Sequence, residues 1–215
     1  MNNLNFVITI GREYGSGGRE IGRQVAEKLR IPFYDKELIA ASVRESGMDA
    51  KVFEELEERT TPSFLFSLAV GSLTPNIVDG NILGFSLNDR VNDIQAETIK
   101  KLAAKSSCVI VGRAADDILA KDADCLNVFI HAPLDARIAR SRNDYGLQGD
   151  YEELKNTILK IDKRRANYYS YISSKSWGDA SNYHLSLNSS HFGISGCVQM
   201  ILEAAALQRP EFAKK

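Results

Sequence analysis

The chain has 215 residues, is 44% hydrophobic and carries a formal net charge of −1 at pH 7. This length suits one globular domain that buries roughly 70% of the surface of its unfolded chain. The balanced charge argues against non-specific nucleic-acid binding as the main task. No apolar run approaches the roughly 20 residues of a membrane span, and the start of the chain lacks the basic region of a signal peptide. We therefore expect a cytoplasmic protein whose partners include neither nucleic acid nor membrane.

Cysteine usage agrees with a cytoplasmic protein. Cys108, Cys125 and Cys197 are odd in number, widely spaced and without a C-x-x-C pair. Such spacing is typical of buried, reduced thiols and does not indicate a metal site.

The first regular stretch predicts a phosphate-binding layout. Residues 6–10 are β-branched and aromatic, which is typical of a buried parallel strand. A glycine-rich segment follows, and then Ile21, Val25 and Leu29 recur every fourth residue, which predicts one face of a helix. Backbone N–H groups of a glycine-rich turn can point at an anion, and the start of the helix adds its positive dipole end.

The glycine-rich turn departs from the standard phosphate-binding loop, G-x-x-x-x-G-K-[ST]. When Gly18, Arg19 and Glu20 are aligned with the end of that motif, Glu13 takes the place of the first glycine. Arg19 then stands for the lysine, and Glu20 stands where a hydroxyl would hold Mg²⁺. Arg12 and other arginines near the helix start indicate a bound anion, because the helix dipole alone favours acids there. A turn that binds nothing is the open alternative.

A second strand is predicted over residues 31–35. Asp35 and Lys36 then lie at a carboxyl edge of the sheet, where ligands of open α/β folds bind. Asp35 also precedes a helical pattern, so a plain N-cap is an equally good interpretation.

Residues 45–88 carry the weakest pattern. Their stretch 61–87 is rich in apolar residues but is interrupted by proline and glycine. It could cover a substrate or form a subunit contact, which would make the protein a homodimer. A partly buried irregular loop is the alternative. A clear helix is predicted over residues 90–104.

A continuous apolar run over residues 107–112 predicts a central strand. Arg113 follows it directly, and its planar guanidinium suits a phosphate at the carboxyl edge of the sheet. A surface ion pair of Arg113 with Asp116 or Asp117 is the alternative. A fourth strand is predicted over residues 126–132.

Two arginine-bearing helices are predicted next, over residues 135–142 and 151–172. Joined by a glycine-containing turn, they are typical of a lid that closes over polyphosphate. A solvated charged hairpin explains the same residues equally well. A fifth strand over residues 183–187 and a helix over 194–207 complete the chain. Strands that alternate with helices predict a doubly wound, five-stranded parallel α/β sheet.

The order of the motifs resembles a known family. ITIGREYGSGGREIG, FYDKEL, VIVGRAADDIL, APLDARIARSR, DKRR and YHLSLNSS follow one another as in the cytidylate-kinase-like proteins, relatives of cytidylate kinase among the P-loop nucleoside monophosphate kinases. The resemblance implies one kinase-like domain of the P-loop NTP hydrolase type. Its core would comprise residues 1–44, 89–134 and 178–215, with a monophosphate-binding insertion at about 45–88 and a lid arm at about 135–177.

The resemblance also implies roles for individual residues. A loop with Asp162 nearby would wrap the phosphates of ATP, through Gly15, Ser16, Gly17, Gly18, Arg19 and Glu20. The acceptor would face Asp35, Lys36 and Arg113. Positive charge around the transferring group would come from Arg19, Arg113, Arg137 and Arg165. Mg²⁺ would bridge the nucleotide oxygens, with Asp116 or Asp117 as the acid.

The implied activity is phosphoryl transfer from ATP to a nucleoside monophosphate or a similar small acceptor, with CMP as the default. Val111, Lys36 and Ala41 replace an aspartate, a serine and an arginine of the cytidylate kinases, so CMP specificity does not transfer. Two alternatives remain: a nucleotide-binding regulatory protein without catalysis, and a structural oligomeric module.

Overall fold

The computed structural model describes residues 5–35 and 81–212, and the side chains of the second range from residue 92 onward. The chain divides into two compact units, Met1–Lys36 with Ile99–Lys215 and Glu37–Thr98. Three predictions lie outside the described residues: the role of Lys36, the helix after Asp35 and the structure of residues 61–80. The predicted division into core, insertion and lid arm stays a prediction.

Five strands and six α-helices are present in the described part of the chain. The strands are β1 Phe6–Arg12, β2 Phe33–Tyr34, β3 Cys108–Val111, β4 Asp124–His131 and β5 Leu185–Asn188. The helices are α1 Gly18–Leu29, α2 Asn81–Lys105, α3 Ala115–Ile118, α4 Leu134–Asn143, α5 Tyr151–Ser173 and α6 Ser189–Gln208. Short 3-10 turns span Ala180–Asn182 and Pro210–Phe212.

All strand pairs are parallel, in the order β2-β3-β1-β4-β5. The predicted doubly wound parallel sheet is confirmed. Ile10 of β1 lies opposite Val111 of β3, so the residues that follow these two strands meet at one carboxyl edge. This register brings Arg12 beside Gly112, although they are far apart in the sequence.

One face of the sheet is covered by α1 and α6. Alternate residues of β1 point to this face. They pack against α1, whose apolar residues recur every three or four positions and therefore lie along one side of the helix. The shared core contains Phe6, Ile8, Ile10, Ile21, Val25, Leu29, Val109, Val128, Val198 and Ile201. The opposite face carries Thr9 and Gly11 and borders the cavity described below.

Several boundaries differ from their predictions. Helix α2 begins at Asn81, nine residues before the predicted start at residue 90. The strand predicted over residues 31–35 is only two residues long in the sheet. Helix α6 begins at Ser189, five residues before the predicted start, because the Asn188 side chain accepts hydrogen bonds from the N–H groups of Ser190 and His191. Gly193 interrupts this helix with φ 70° and ψ 170°. The predicted start at Ile194 therefore marks its second segment.

The three cysteines are unpaired. Cys108 and Cys125 both lie opposite Val7, on the strands at either side of β1. Burial raises the pKa of each of these two thiols to about 12. The described residues contain no helix long and apolar enough to cross a membrane, and among them no cluster of three or more His, Cys, Asp or Glu side chains could hold a metal ion.

Candidate active site

The turn between β1 and α1 has the geometry of an anion-binding loop. Gly15 and Gly17 adopt left-handed conformations with φ 78° and 81°. A Cβ on Gly15 would lie 2.6 Å from the Arg137 carbonyl oxygen, so a side chain has no room there. Gly17 is the N-cap of α1 and offers no side-chain hydrogen bond to the first turn. The first N–H groups of a helix lack partners within the helix, so this helix start can accept an anion.

Three other elements hold this loop in place. The Tyr14 N–H donates to the Asp162 carboxylate on α5 at 2.7 Å. Arg140 on α4 donates to the Gly15 carbonyl oxygen at 2.9 Å. The Ser189 hydroxyl at the start of α6 donates to the Ser16 carbonyl oxygen at 2.5 Å. The loop is therefore arranged before any ligand arrives.

Arg137 and Asp162 lie beneath the loop rather than facing an open lid. Arg137 is 6% exposed and Asp162 is 8% exposed, and they form an ion pair. Arg137 also lies 3.4 Å from the Glu13 carboxylate. Glu13 in turn accepts a hydrogen bond from the Ala132 N–H at 3.0 Å. These buried contacts argue against a solvated charged hairpin, because the central pair of α4 and α5 is enclosed.

Arg19 and Asp35 are brought together, although the resemblance places them on different ligands. The Arg19 Nε donates to the Asp35 carboxylate at 2.7 Å, and a second guanidinium nitrogen lies at the same distance. The Arg19 side chain is half-exposed, whereas Asp35 is buried. The neighbouring Glu20 is exposed and accepts a hydrogen bond from Gln24. The predicted phosphate contact of Arg19 stays a prediction.

A cavity of about 350 Å³ opens at the carboxyl ends of β1 and β3 and extends under α5. Arginines, aromatic side chains and one acid contribute to its wall. The lining includes Thr9, Gly11, Arg12, Gly112, Arg113, Asp116, Arg164, Arg165, Tyr168, Tyr169, Trp177 and Tyr183.

Four arginines line this cavity, and three of them, Arg12, Arg113 and Arg165, interact with one another. Arg165 on α5 donates to the Arg12 carbonyl oxygen at 3.0 Å, and Arg113 lies over the Tyr168 ring at 5.4 Å from its centre. Within the described residues, no carboxylate lies within ion-pair distance of Arg12 or Arg113. Burial lowers the pKa of Arg12 to about 9, and the charges of Arg165 and Arg113 contribute. Uncompensated cations of this kind favour an anionic ligand.

The alternative ion pair of Arg113 is not formed. Asp117 pairs with Lys175 at 2.8 Å, and Asp116 accepts a hydrogen bond from the Tyr169 hydroxyl at 2.7 Å. Arg113 and Ala114 adopt left-handed conformations, with φ 61° and 51°, directly after Gly112. Such conformations are strained for residues other than glycine and occur preferentially at functional sites.

Asp116, the acid that lines the cavity, belongs to a polar network with Tyr169. Burial raises the pKa of Asp116, although the hydrogen bond from Tyr169 opposes the shift. Burial likewise raises the pKa of Tyr183 to about 12. Tyr183 packs against Phe129 at 4.9 Å between ring centres, and Trp177 packs against the same ring at 5.4 Å. Asp116 has no acidic cluster around it in the described part of the chain, so its predicted role as a metal ligand stays a prediction.

Sequence reasoning counted Arg12 among the cations that indicate a bound anion but gave it no role of its own, although it lines the cavity. Arg12 is the last residue of β1, so it stands at the carboxyl edge of the sheet, the position that singled out Arg113. The aromatic residues of the cavity were also not assigned: Tyr168, Tyr169 and Trp177 were expected to pack the lid arm onto the body, and Tyr183 belonged to the fifth predicted strand. Arg113 and Arg165 do share the cavity with them.

The chain is similar to a defined family over most of its length. The model of the cytidylate kinase-like family matches residues 7–191. The chain belongs to the cytidylate kinase-like family. The predicted family is thereby confirmed. A search of the curated proteins found no match to this sequence.

Solved structures share the fold. An uncharacterized protein from Eubacterium ventriosum ATCC 27560 is 25% identical, with a TM-score of 0.67, over 93% of this chain and 98% of that one. A shikimate kinase from Bacteroides thetaiotaomicron is 16% identical, with a TM-score of 0.52, over 93% of this chain and 97% of that one. This member of the cytidylate kinase-like family therefore has a kinase-like fold of the P-loop type.

Proposed function

We propose that this protein is an ATP-dependent phosphotransferase that acts on a small anionic acceptor, with a nucleoside monophosphate as the substrate class and CMP as the first candidate. The observation that carries the proposal is the group of Arg12, Arg113 and Arg165 in one cavity beside a preorganised glycine-rich loop. Family membership supports the reaction class.

Phosphoryl transfer suits these residues. Its transition state needs positioned cations and dipoles more than it needs a covalent partner. ATP supplies the phosphoryl group when it is bound. The loop and the uncapped start of α1 fit its phosphates, because Gly15 and Gly17 turn the backbone and no side chain hydrogen-bonds to the first N–H groups of the helix as a cap. The arginines would orient the donor and acceptor phosphates and hold them apart from water.

The described residues do not form a site for Mg²⁺ on the protein. They contain no cluster of three acidic or other ligand side chains, and Glu20 lies where the standard loop carries a hydroxyl. In our proposal the nucleotide oxygens and water provide the ligands of Mg²⁺.

The acceptor would occupy the cavity under α5. Its volume of about 350 Å³ lies within the roughly 300–1,000 Å³ of small-molecule sites. An acceptor phosphate would bind Arg113. The rings of Tyr168 and Trp177 in the cavity wall offer apolar surface to a planar group, and Asp116 offers a carboxylate for an N–H or O–H donor. A nucleoside monophosphate combines these features.

A nucleotide-binding regulatory protein is the second candidate. It is favoured by the absence of the lysine and hydroxyl of the standard loop from Arg19 and Glu20. Such a protein has no need of a second, arginine-lined cavity beside its nucleotide loop, which is why we prefer the enzyme.

The test is release of ADP from Mg·ATP in the presence of CMP, dCMP, UMP, AMP, GMP, nucleosides or shikimate. We expect release with one nucleoside monophosphate, and its loss in Arg113→Ala. Lys163→Ala is the matched control, because Lys163 lies on α5 near the cavity but is exposed. Nucleotide-dependent stabilisation without turnover would favour the regulatory protein. Neither turnover nor stabilisation would contradict both candidates.

A further inference from the structure

A side chain at position 18 would overlap with the side chain of Arg12. A Cβ built on Gly18, the first residue of α1, would lie 2.5 Å from the Arg12 Cβ and 3.0 Å from its Cγ. The next atom, Ile130 Cβ, lies at 3.4 Å, which is ordinary contact. Position 18 can therefore carry a side chain only if position 12 does not.

The Arg12 side chain runs from this crowded point toward the cavity. Its guanidinium lies over Gly112, where an added Cβ would be 2.0 Å from a guanidinium nitrogen. It makes no hydrogen bond or ion pair to a carboxylate among the described residues. Arg19, by contrast, turns its guanidinium to Asp35. Of the two arginines, Arg12 is the one that reaches the end of β3.

Moving the motif by one residue accounts for this geometry. If Gly17, the N-cap of α1, ends the loop, the pattern G-x-x-x-x-G-K places Arg12 at the first glycine and Gly18 at the lysine. The two residue types have then changed places: the cation stands where the standard motif has glycine, and glycine stands where it has the cation.

We propose that Arg12 is the nucleotide-phosphate-binding cation of this loop, and that Gly18 is required because the Arg12 side chain occupies the space of the missing lysine side chain. The proposal rests on the proposed nucleotide site. The cation reaches the phosphates from the end of the strand instead of from the helix. A guanidinium offers two parallel N–H donors, so it can bind two oxygens of a polyphosphate at once.

The electrostatics of the site fit this role. Burial and two neighbouring arginines lower the pKa of Arg12, which means that the protein does not stabilise this charge by itself. Asp35 and Asp162 act on it only from a distance. A bound anion would supply the missing compensation, so we expect nucleotide binding to depend strongly on residue 12.

The test is a reciprocal exchange in the full-length chain. We would measure the Kd for ATP by calorimetry, together with the ATP-induced rise in melting temperature, in the wild type, Arg12→Gly, Gly18→Lys and the double variant R12G/G18K. Arg23→Ala is the control, since Arg23 lies on α1 over the Phe33 ring and is exposed. ADP release with the best acceptor is recorded separately.

We expect Arg12→Gly to weaken ATP binding by about tenfold or more, the effect of losing a charge-assisted hydrogen bond. R12G/G18K should regain most of that affinity, because the lysine stem fits once the Arg12 stem is gone. Gly18→Lys alone should lower the melting temperature and the affinity. Unchanged affinity in Arg12→Gly, or no recovery in the double variant, would overturn the inference.

Turnover in the wild type decides the proposed function independently of these affinities. A wild type that binds ATP through Arg12 but releases no ADP with any acceptor supports this inference and contradicts the proposed enzyme. A wild type that binds no ATP overturns both.

Discussion

Arg137 on α4 and Asp162 on α5 form a buried ion pair beneath the glycine-rich loop. Asp162 also accepts a hydrogen bond from the Tyr14 N–H, and Arg137 reaches the Tyr14 carbonyl oxygen at 3.3 Å. One pair of side chains therefore joins two helices and fixes the loop backbone between them.

Removing one partner of this ion pair should destabilise the folded protein. We expect Arg137→Leu to lower the free energy of unfolding by about 3–5 kcal/mol, because it leaves a buried carboxylate without its cation. The measurement is unfolding in urea. Arg142→Leu, in the same helix but exposed, should change stability by less than about 0.5 kcal/mol. In the double variant Arg137→Leu/Asp162→Leu, the free energy of unfolding should fall by less than the sum of the decreases in the two single variants. Fully additive decreases would show that the two residues are not coupled.

Gly15→Ala should destabilise the protein and weaken nucleotide binding. An alanine there combines a left-handed φ of 78° with a Cβ only 2.6 Å from the Arg137 carbonyl oxygen, so the loop must move. Gly146→Ala is the matched control, because its φ of 68° is similar but nothing lies within 4 Å of its added Cβ. Thermal unfolding with and without ATP measures both effects. Equal losses in the two variants would mean that backbone strain, and not the close packing of the loop, limits position 15.

Ala114→Gly should be tolerated, although glycine normally destabilises a helical protein. Ala114 has φ 51°, and relief of about 1–2 kcal/mol of left-handed strain offsets the extra entropy of the unfolded chain. Ala166→Gly in α5 is the comparison and should cost about 1 kcal/mol. Denaturant unfolding of both variants provides the test. If Ala114→Gly lowers the free energy of unfolding as much as Ala166→Gly does, the backbone at position 114 is not strained.

Asp116→Asn should change how stability depends on pH. Burial raises the pKa of Asp116 in the folded protein, so the folded state binds a proton more tightly than the unfolded state. The wild type should therefore lose stability as the pH rises above the unfolded value of about 3.8. The asparagine variant keeps an acceptor for the Tyr169 hydroxyl without the charge. The stability of Asp116→Asn relative to the wild type should therefore rise as the pH increases above about 3.8. Thermal unfolding from pH 3.5 upward measures this difference. A difference that does not change with pH would contradict the raised pKa of Asp116.

Much of the architecture follows from local patterns in the sequence. The apolar runs of β1, β3 and β4 and the four-residue spacing of Ile21, Val25 and Leu29 predict buried strands and an amphipathic helix, because burial on a sheet or helix face requires those periods. Their alternation predicts the doubly wound sheet. Strand β2 is shorter than its pattern predicts, since only two of its residues pair in the sheet.

The sequence by itself determined the family, the order of the elements and the presence of arginines near a glycine-rich turn. Only the tertiary structure decided which arginines share a site. Arg19 pairs with Asp35, Arg137 is enclosed with Asp162, and Arg12 reaches the cavity. These choices depend on strand register and on the few ångströms between side chains from distant segments, such as Arg12 against Gly18. A linear pattern carries the residue types and their spacing, but not the direction in which a long side chain turns.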